Sequence, residues 1–206
     1  MNKETYITAP CRASSLPFWK TNCVEVPDFI RVVRDDQLTP EMLQNCRDEP
    51  YFKLCHDFKR FRQATIPAGF KLITPTAAVL SQHIEACYPE ERASEEELLL
   101  CQNRAVYRPE LRIALVDSAT EKIAASGIAE LDAEIGEGVL EWIQVSPAYR
   151  RRGLGEAIVR ELLGRLKTMA DFVTVSGRMN NETRPELLYK KCGFGDMVIW
   201  HVLMRT

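Results

Sequence analysis

The sequence lacks a marked excess of charge of either sign. Its 206 residues carry 27 lysines and arginines against 29 aspartates and glutamates, which gives a formal net charge of −2. Domains that bind nucleic acids or anionic membranes usually concentrate basic residues on one face. We therefore expect neither a nucleic acid nor a membrane among the partners of this protein.

Long hydrophobic runs are also missing. Apolar stretches such as 123–128 and 139–145 are far shorter than the ~20 residues that span a membrane. Residues 1–10 hold no apolar core of the length found in signal peptides. These features favour a cytoplasmic location.

Paired cysteine motifs are absent as well. The seven cysteines are odd in number and include no C-x-x-C pair, so they indicate reduced thiols rather than a disulfide framework. Cys46, Cys55 and His56, combined with Cys11 or Cys23, match no common zinc-binding spacing. We expect no metal site.

The composition that remains is typical of a globular protein, with 46% hydrophobic and 27% charged residues. The length predicts one domain with a sizeable extension, or one domain with a small companion, and we place the division near residue 66. Residues 1–66 are predicted to form an N-terminal α+β extension or small subdomain with strands at 29–33 and 51–58. Residues 67–206 form the main domain, which opens with the turn signal Pro67-Ala68-Gly69.

The main domain reads as the series β-α-α-β-β-β-α-β-α-β, which predicts an α/β fold with a mixed, partly antiparallel sheet flanked by helices. Three consecutive strands, 111–116, 122–130 and 138–145, can pair as an antiparallel meander, whereas the helix at 154–169 requires a crossover to a parallel strand at 172–175. Helix starts are predicted at Thr74 as an N-cap and at two capping boxes. The boxes are Ser94-x-x-Glu97 and Thr183-x-x-Glu186.

The sharpest functional signal is a strand that leads through a basic, glycine-containing loop directly into a helix. The loop is Arg150-Arg151-Arg152-Gly153-Leu154-Gly155. Backbone amides at a helix N-terminus can hold phosphate oxygens, and the helix dipole favours negative charge there. By itself the loop is equally compatible with a basic turn before an ordinary helix.

Two motifs together resemble those of the GNAT superfamily of N-acetyltransferases. Arg150-x-x-Gly153-x-Gly155 resembles motif A of the family, and Leu188-Tyr189-x-x-x-Gly193-Phe194 resembles its second signature. The resemblance covers about residues 69–206 and implies a GNAT-like fold. It also implies an enzyme that transfers the acetyl group of acetyl-CoA, a cosubstrate, to a primary amine by direct attack in a ternary complex.

The resemblance further implies where the cosubstrate binds. The pantetheine arm would dock against a splayed strand at Ile143, Gln144 and Val145, with an amide near Val145 facing the thioester carbonyl. Asn181 would contact the cosubstrate, unless it is an ordinary loop residue. The pyrophosphate would lie on the loop residues Arg150, Arg151, Arg152, Gly153, Leu154, Gly155 and Glu156.

Two residues are candidates for proton transfer. The resemblance implies that Tyr189 protonates the departing CoA thiolate, although an aromatic packing role is the alternative. Glu141 lies inside a strand, where glutamate is depleted, and by period two it shares a face with Val139, Ile143 and Val145. It is our candidate general base, with a solvated or neutralised carboxylate as the alternative. Reserve candidates for the base are Glu130 and Asp132.

The acceptor is expected to be a small-molecule or peptide amine. The acidic stretch at 90–97 would attract a protonated amine, although a capped surface helix explains it equally well. The three histidines, His56, His83 and His201, are interpreted as structural. A non-catalytic acetyl-CoA-binding sensor or regulatory module is the alternative function.

Overall fold

The computed structural model describes residues 1–21, 23–90 and 93–206, which contain seven α-helices and eight β-strands. The helices are α1 (Lys3–Thr8), α2 (Pro10–Ala13), α3 (Phe18–Thr21), α4 (Ala77–Cys87), α5 (Glu95–Leu100), α6 (Leu154–Leu166) and α7 (Pro185–Lys191). The strands are β1 (Ile30–Arg34), β2 (Cys46–His56), β3 (Phe70–Ile73), β4 (Arg112–Asp117), β5 (Ile123–Asp132), β6 (Glu137–Val145), β7 (Phe172–Arg178) and β8 (Gly195–Arg205).

All eight strands form one sheet in the order β1-β8-β2-β7-β6-β5-β4-β3. Neighbouring strands are antiparallel except for β6 and β7, which are parallel. The predicted meander of β4, β5 and β6 and the crossover through α6 are therefore confirmed, as is the mixed α/β class. Helix α6 makes this crossover because a parallel neighbour cannot be reached by a tight turn.

The N-terminal region contributes to this same sheet. Strand β2 lies between β7 and β8, pairing with β7 over Tyr51–His56 and with β8 from Cys46 onward. Strand β1 pairs with the outer side of β8. The division expected near residue 66 thus separates two parts of the chain that share one hydrogen-bonded sheet.

On one face of the sheet, α6 packs with its apolar stripe against β5 and β6. Leu154, Ile158, Leu162 and Leu166 are at most 1% exposed, as the helical spacing of these residues predicts. At Gly127 in β5 an added Cβ would meet Ile158 Cγ2 at 2.5 Å, so the close approach of the helix requires glycine there.

Helices α1 to α5 are built from the N-terminal region and from the segment after β3. The capping box of α5 is present, with Ser94 and Glu97 each bonded to the other's backbone amide, as predicted. The N-cap expected at Thr74 is wrong, because α4 begins two residues later, where the Thr76 hydroxyl accepts from the Val79 amide.

The capping box expected at Thr183 is also wrong. The amide and hydroxyl of Thr183 both donate to Asn181 Oδ1, at 2.9 and 2.7 Å, which forms a local turn. Arg184 then occupies the N-cap at φ +50°, and Pro185 is the first helical residue of α7. The helix ends at Gly193, whose φ of +103° fits the predicted C-terminal glycine.

Candidate active site

Strands β6 and β7 pair for only part of their length. Their parallel register runs from Glu137 to Leu140 in β6, opposite Phe172 to Val175 in β7. Beyond this point β7 continues beside β2, whereas β6 continues beside β5. The strands therefore diverge after Leu140 and leave a gap along residues 141–145.

A β-bulge lies where the gap begins. The register with β5 changes from Ala129↔Leu140 to Gly127↔Ile143, so Glu141 and Trp142 together face one residue of β5. Ile143 and Val145 pack against the apolar cluster under α6. Glu141 and Val139 line one cavity, as their predicted common face requires. The prediction that Ile143 and Val145 share this face is wrong, because the extra residue resets the alternation.

The backbone of β6 beyond the bulge presents polar groups to the gap. The Ser146 amide donates to the Ala124 carbonyl at 2.9 Å, and alternation along the strand directs the backbone groups of Val145 and Ile143 away from β5. The Tyr88 hydroxyl donates to the Ile143 carbonyl at 3.4 Å from outside the sheet. The Gln144 side chain is buried and donates to Ser126 Oγ on β5.

The predicted phosphate loop connects this strand to α6. Gly153 is the N-cap of α6 at φ +78°, and the first intrahelical bond runs from the Ala157 amide to the Gly153 carbonyl. The amides of residues 154–156 come before that bond in the chain. They lie in the first turn, whose amides have no acceptor within the helix. An added Cβ at Gly153 would meet nothing within 4 Å, so the loop is open to a ligand.

The other loop residues have distinct surroundings. The three arginines of the loop, Arg150, Arg151 and Arg152, are exposed, and Leu154 is buried in the core. An added Cβ at Gly155 would lie 3.1 Å from Leu188 Cδ2, so packing against α7 accounts for this glycine.

Glu156 lies in the first turn of α6 between two cations. Its carboxylate contacts Lys191 at 2.7 Å and Arg160 at 2.9 Å, and these bonds, that of Lys191 first, lower the pKa of Glu156. A cavity of about 350 Å³ adjoins this turn. Arg62 and Arg160 both line it, so it offers a second cationic surface beside the loop.

Tyr189 lies in α7 and is 5% exposed. Its ring contacts Phe52 of β2 and Phe194, with centroids 6.1 and 5.6 Å apart. Burial raises the pKa of Tyr189, and the nearby Tyr88 and Cys192 raise it further. The phenol therefore stays protonated at neutral pH, which a proton donor requires. The packing role is visible in these ring contacts, and the acid role stays a prediction.

Glu141 is paired with a lysine of the N-terminal region. Lys20 Nζ lies 2.5 Å from Glu141 Oε1, and each side chain is about a quarter exposed, at 23% and 24%. The neighbouring reserve candidate, Glu130, is 7% exposed and bonded to Arg104 at 3.2 Å. Burial, followed by repulsion from Glu141, raises the pKa of Glu130.

Two other candidates are engaged locally. Asp132 accepts from the Glu134 amide at 3.0 Å within the β5–β6 turn. Asn181 Oδ1 accepts both bonds from Thr183, so this oxygen is already used within its own loop. In the acidic stretch, Glu97 serves the capping box while Glu95 and Glu96 are exposed, and Glu91 lies outside the described residues.

The sequence analysis missed a buried polar network behind the gap. His83 of α4 contacts Ser126 Oγ through Nδ1 and Ser146 Oγ through Nε2, both at 2.8 Å. Burial lowers the pKa of His83 to about 4, so the ring is neutral at physiological pH. The network fixes Ser146, which joins the open strand to the phosphate loop. Its only sequence signal is that His83 falls on the apolar stripe of α4, between Leu80 and Cys87.

Within residues 1–21, 23–90 and 93–206, no three potential metal ligands cluster together. Among the helices of those same residues, none combines the length and the apolar character needed to cross a bilayer.

Comparisons with known proteins agree with this geometry. Residues 110–195 match the family described as "Acetyltransferase (GNAT) domain". No curated protein matches the chain. The strand order, the parallel pair with its gap and the helix that begins at Gly153 define an acetyltransferase fold. Residues 110–195 thus match a GNAT acetyltransferase domain, and the chain has the fold of these GNAT structures.

Many solved structures share the fold at low sequence identity. A GCN5-related N-acetyltransferase from Sphaerobacter thermophilus superposes with a TM-score of 0.71 and 17% identity, over 86% of this chain and 60% of that one. A putative GNAT acetyltransferase from Novosphingobium aromaticivorans gives 0.56 and 14%, over 89% and 70%. The ribosomal-protein-S18-alanine N-acetyltransferase of Escherichia coli gives 0.50 and 21%, over 66% and 95%. The chain thus spans about three fifths of the length of the Sphaerobacter protein.

Proposed function

We propose that this protein is an N-acetyltransferase that transfers the acetyl group of acetyl-CoA to a primary amine by direct attack in a ternary complex. The observation that carries the proposal is the gap beside residues 141–145, which opens at one end onto the helix start at Gly153. A bare binding module would need the loop and the gap. It would not need a buried phenol in α7 and a partly exposed carboxylate where the gap begins.

The residues present fit acetyl-CoA. The first-turn amides of α6 and Arg150, Arg151 and Arg152 would hold the pyrophosphate, because amides at a helix start and nearby cations both favour anions. The backbone groups of Ile143 and Val145 would bind the pantetheine arm in the gap, and the Val145 amide would face the thioester oxygen. Acetyl-CoA supplies a thioester, whose carbon–sulfur bond breaks as the amide forms.

The proposed proton transfers use the two candidates identified in the sequence. Glu141, directly or through water, takes a proton from the incoming ammonium, because a protonated amine has no lone pair for attack. Tyr189 gives its hydroxyl proton to the departing thiolate sulfur and regains one from the amine nitrogen, which loses its second proton as the amide forms. Ammonium and thioester thus become amide, thiol and one released proton.

The catalytic proposal is tested by CoA release from acetyl-CoA across a panel of polyamines, aminoglycosides, amino acids and peptide N-termini. Tyr189→Phe should lower kcat by about 10²–10⁴-fold while acetyl-CoA affinity stays close to that of the parent. Glu141→Gln should remove the acidic limb of the pH–rate profile. Tight binding of acetyl-CoA without turnover of any amine would support the sensor alternative instead.

The binding loop is tested separately by calorimetry with acetyl-CoA. Gly153→Val should abolish binding, because the valine fills the open space at the loop and disfavours its positive φ. Gly69→Val is a matched control, since Gly69 has a φ of +84° and equally open surroundings but lies before β3. Undiminished affinity in a folded Gly153→Val protein would rule out this loop as the binding site.

A further inference from the structure

A second cavity, of about 280 Å³, lies on the face of the sheet opposite α6. Its floor is formed by β6, β7, β2 and β8, through residues that include Val139, Thr174, Tyr51 and Trp200. The N-terminal segment 15–17 and Lys20 form the opposite wall. This volume lies just below the range of ~300–1,000 Å³ for small-molecule sites.

The cavity adjoins the gap between β6 and β7. Glu141 and Ser176 both line it, and each is the first residue of its strand beyond the parallel pairing. A molecule held here therefore lies beside the open backbone of β6. The phosphate loop has its own adjoining cavity, with Gly153 and Glu156 in its wall, so the two cavities are separate.

The charges in the cavity are few and adjacent. Among the described residues that line it, Lys20 and Glu141 carry the charges, and their ammonium and carboxylate are 2.5 Å apart. The remaining lining is aromatic, aliphatic or hydroxyl-bearing. One cation beside one anion is complementary to a ligand that carries a carboxylate and an ammonium on neighbouring atoms.

The ion pair can open without leaving its lysine isolated. The Lys20 ammonium lies 5.1 Å from the centroid of the Trp19 ring, a cation–π contact that does not involve Glu141. Lys20 belongs to α3, a helix of four residues. A small rotation of its side chain therefore disturbs the packing of no long helix or strand. A ligand carboxylate can therefore replace Glu141 as the partner of Lys20.

We infer that this cavity is the acceptor site and that the acceptor is a free α-amino acid with an apolar or aromatic side chain. Its carboxylate binds Lys20, its ammonium binds Glu141, and its side chain lies against Tyr51, Trp200 and Val139. Binding releases Glu141 from Lys20, so that this carboxylate is free to take the ammonium proton at the moment the amine is in place. The bond changes are those of the proposed acetyl transfer, on which this inference rests.

The test compares three acceptors that share one side chain: L-phenylalanine, L-phenylalaninamide and phenethylamine, with L-leucine and its amide as a second pair. The parent enzyme should use each free amino acid with a kcat/KM about 10–100-fold above that of its analogues without a carboxylate. This ratio corresponds to the loss of one charge-assisted hydrogen bond. Amides or amines that react as well as the amino acids would overturn the inference.

Variants of Lys20 test whether this residue binds the carboxylate of the acceptor. Lys20→Met should lower kcat/KM for phenylalanine by about 10–100-fold relative to that for phenylalaninamide, mainly through KM, so that the preference for the free amino acid is lost. Lys20→Arg should retain the preference, and Lys3→Met, which removes an exposed lysine of the same region, should leave all rates unchanged. Equal losses on all three acceptors in Lys20→Met would mean that the pair only holds α3 in place, and would overturn the inference.

Calorimetry with phenylalanine separates this inference from the proposed function. If no acceptor releases CoA, the transferase proposal fails. Phenylalanine binding that is lost in Lys20→Met and absent for phenylalaninamide would still support an amino-acid site. Absence of phenylalanine binding, with and without acetyl-CoA, would overturn it.

Discussion

The two faces of the sheet bury different kinds of side chain. Under α6 and α7 the interior is an apolar cluster that includes Leu162, Ile158 and Val175. On the other face the N-terminal helices bury Tyr6, Lys53 and Glu137, all of them at most 1% exposed. The first face is stabilised by apolar surface area that is removed from water. The second depends on a hydrogen-bond partner for each buried polar group.

The polar face is organised around one hydroxyl. Lys53 Nζ donates to the Tyr6 hydroxyl at 2.9 Å, and that hydroxyl donates to Glu137 Oε1 at 2.7 Å. The Phe18 amide donates to Glu137 Oε2, and Thr174 donates to Oε1. Burial lowers the pKa of Lys53 to about 8 and raises that of Glu137.

The comparison shows how very short helices can be held in place. Helices α1 to α3 contain six, four and four residues, too few to be stable by themselves. The Tyr6 hydroxyl of α1 and the Phe18 amide of α3 complete the bonds of Glu137, and the carbonyls of Ser14 and Leu16, between α2 and α3, accept from Lys53. Single substitutions and pH should therefore act differently on the two faces.

The largest effect is expected at Lys53. Lys53→Met should lower the free energy of unfolding by about 3–5 kcal/mol, because it leaves the Glu137 carboxylate buried without a compensating charge. Urea denaturation measures this loss. The double variant Lys53→Met/Glu137→Gln should recover part of it. A single-variant cost below about 1 kcal/mol would show that the network does not anchor the N-terminal region.

On the apolar face, Leu162→Ala should lower the free energy of unfolding by about 2–5 kcal/mol, again measured by urea denaturation. The loss comes from the apolar surface no longer buried and from the cavity left behind. No titrating group takes part in this contact. The loss should therefore be constant from pH 5.5 to 8, and a loss that varied with pH would contradict the contrast between the faces.

Removal of one oxygen tests the polar face without changing its apolar packing. Tyr6→Phe keeps the apolar ring but takes the hydroxyl from between Lys53 and Glu137, and should cost about 1.5–3 kcal/mol. Tyr149→Phe is the matched control, because its hydroxyl donates to Asp117 at a half-exposed site. Water replaces that bond, so equal costs for the two variants would argue against a special role for the buried hydroxyl.

The smallest effect concerns pH and His83. Its folded-state pKa of about 4 lies below the value of ~6.5 in an unfolded chain, so the unfolded state binds more protons between these values. Stability should therefore fall as the pH falls from about 6.5 toward 4, by about 2 kcal/mol between pH 7.5 and 5. His83→Gln should remove this part of the pH dependence.

His201 provides an internal control of opposite sign. Burial opposes the shift, but hydrogen bonds to Asp48 and Asp35 raise the pKa of His201. Its contribution is present below pH ~6.5 and is lost as the pH rises through the raised folded value. His201→Gln should therefore change the slope of stability against pH in the opposite direction, and slopes of one sign for both variants would refute the assignment.

Local patterns predicted much of the fold on the apolar face. The periodicity of residues 154–169 predicted α6, which ends three residues earlier, at Leu166. The turn between two apolar segments predicted the antiparallel pair of β5 and β6. These features are local, since each depends on residues that are close together in the sequence. The proposed phosphate loop was predicted for the same reason, because its glycines and arginines are contiguous.

The rest depended on contacts between distant residues or on small irregularities. The bulge at Glu141 and Trp142 cannot be read from alternation, because counting by two assumes a regular strand. His83 finds its partners 43 and 63 residues away, so no local window contains the network. The position of β2 between β7 and β8 likewise depends on the strand order, which the pattern of apolar residues does not encode.

That place of β2 has a consequence for how the chain reaches its native state. Strand β2 is synthesised long before both of its neighbours in the sheet, and its contact between Tyr51 and Arg178 spans 127 residues. Contacts of such long sequence separation slow folding, because the loop must close before the pairing is gained. On the ribosome, Phe52 and Leu54 therefore remain without their partner strands until β7 and β8 have emerged.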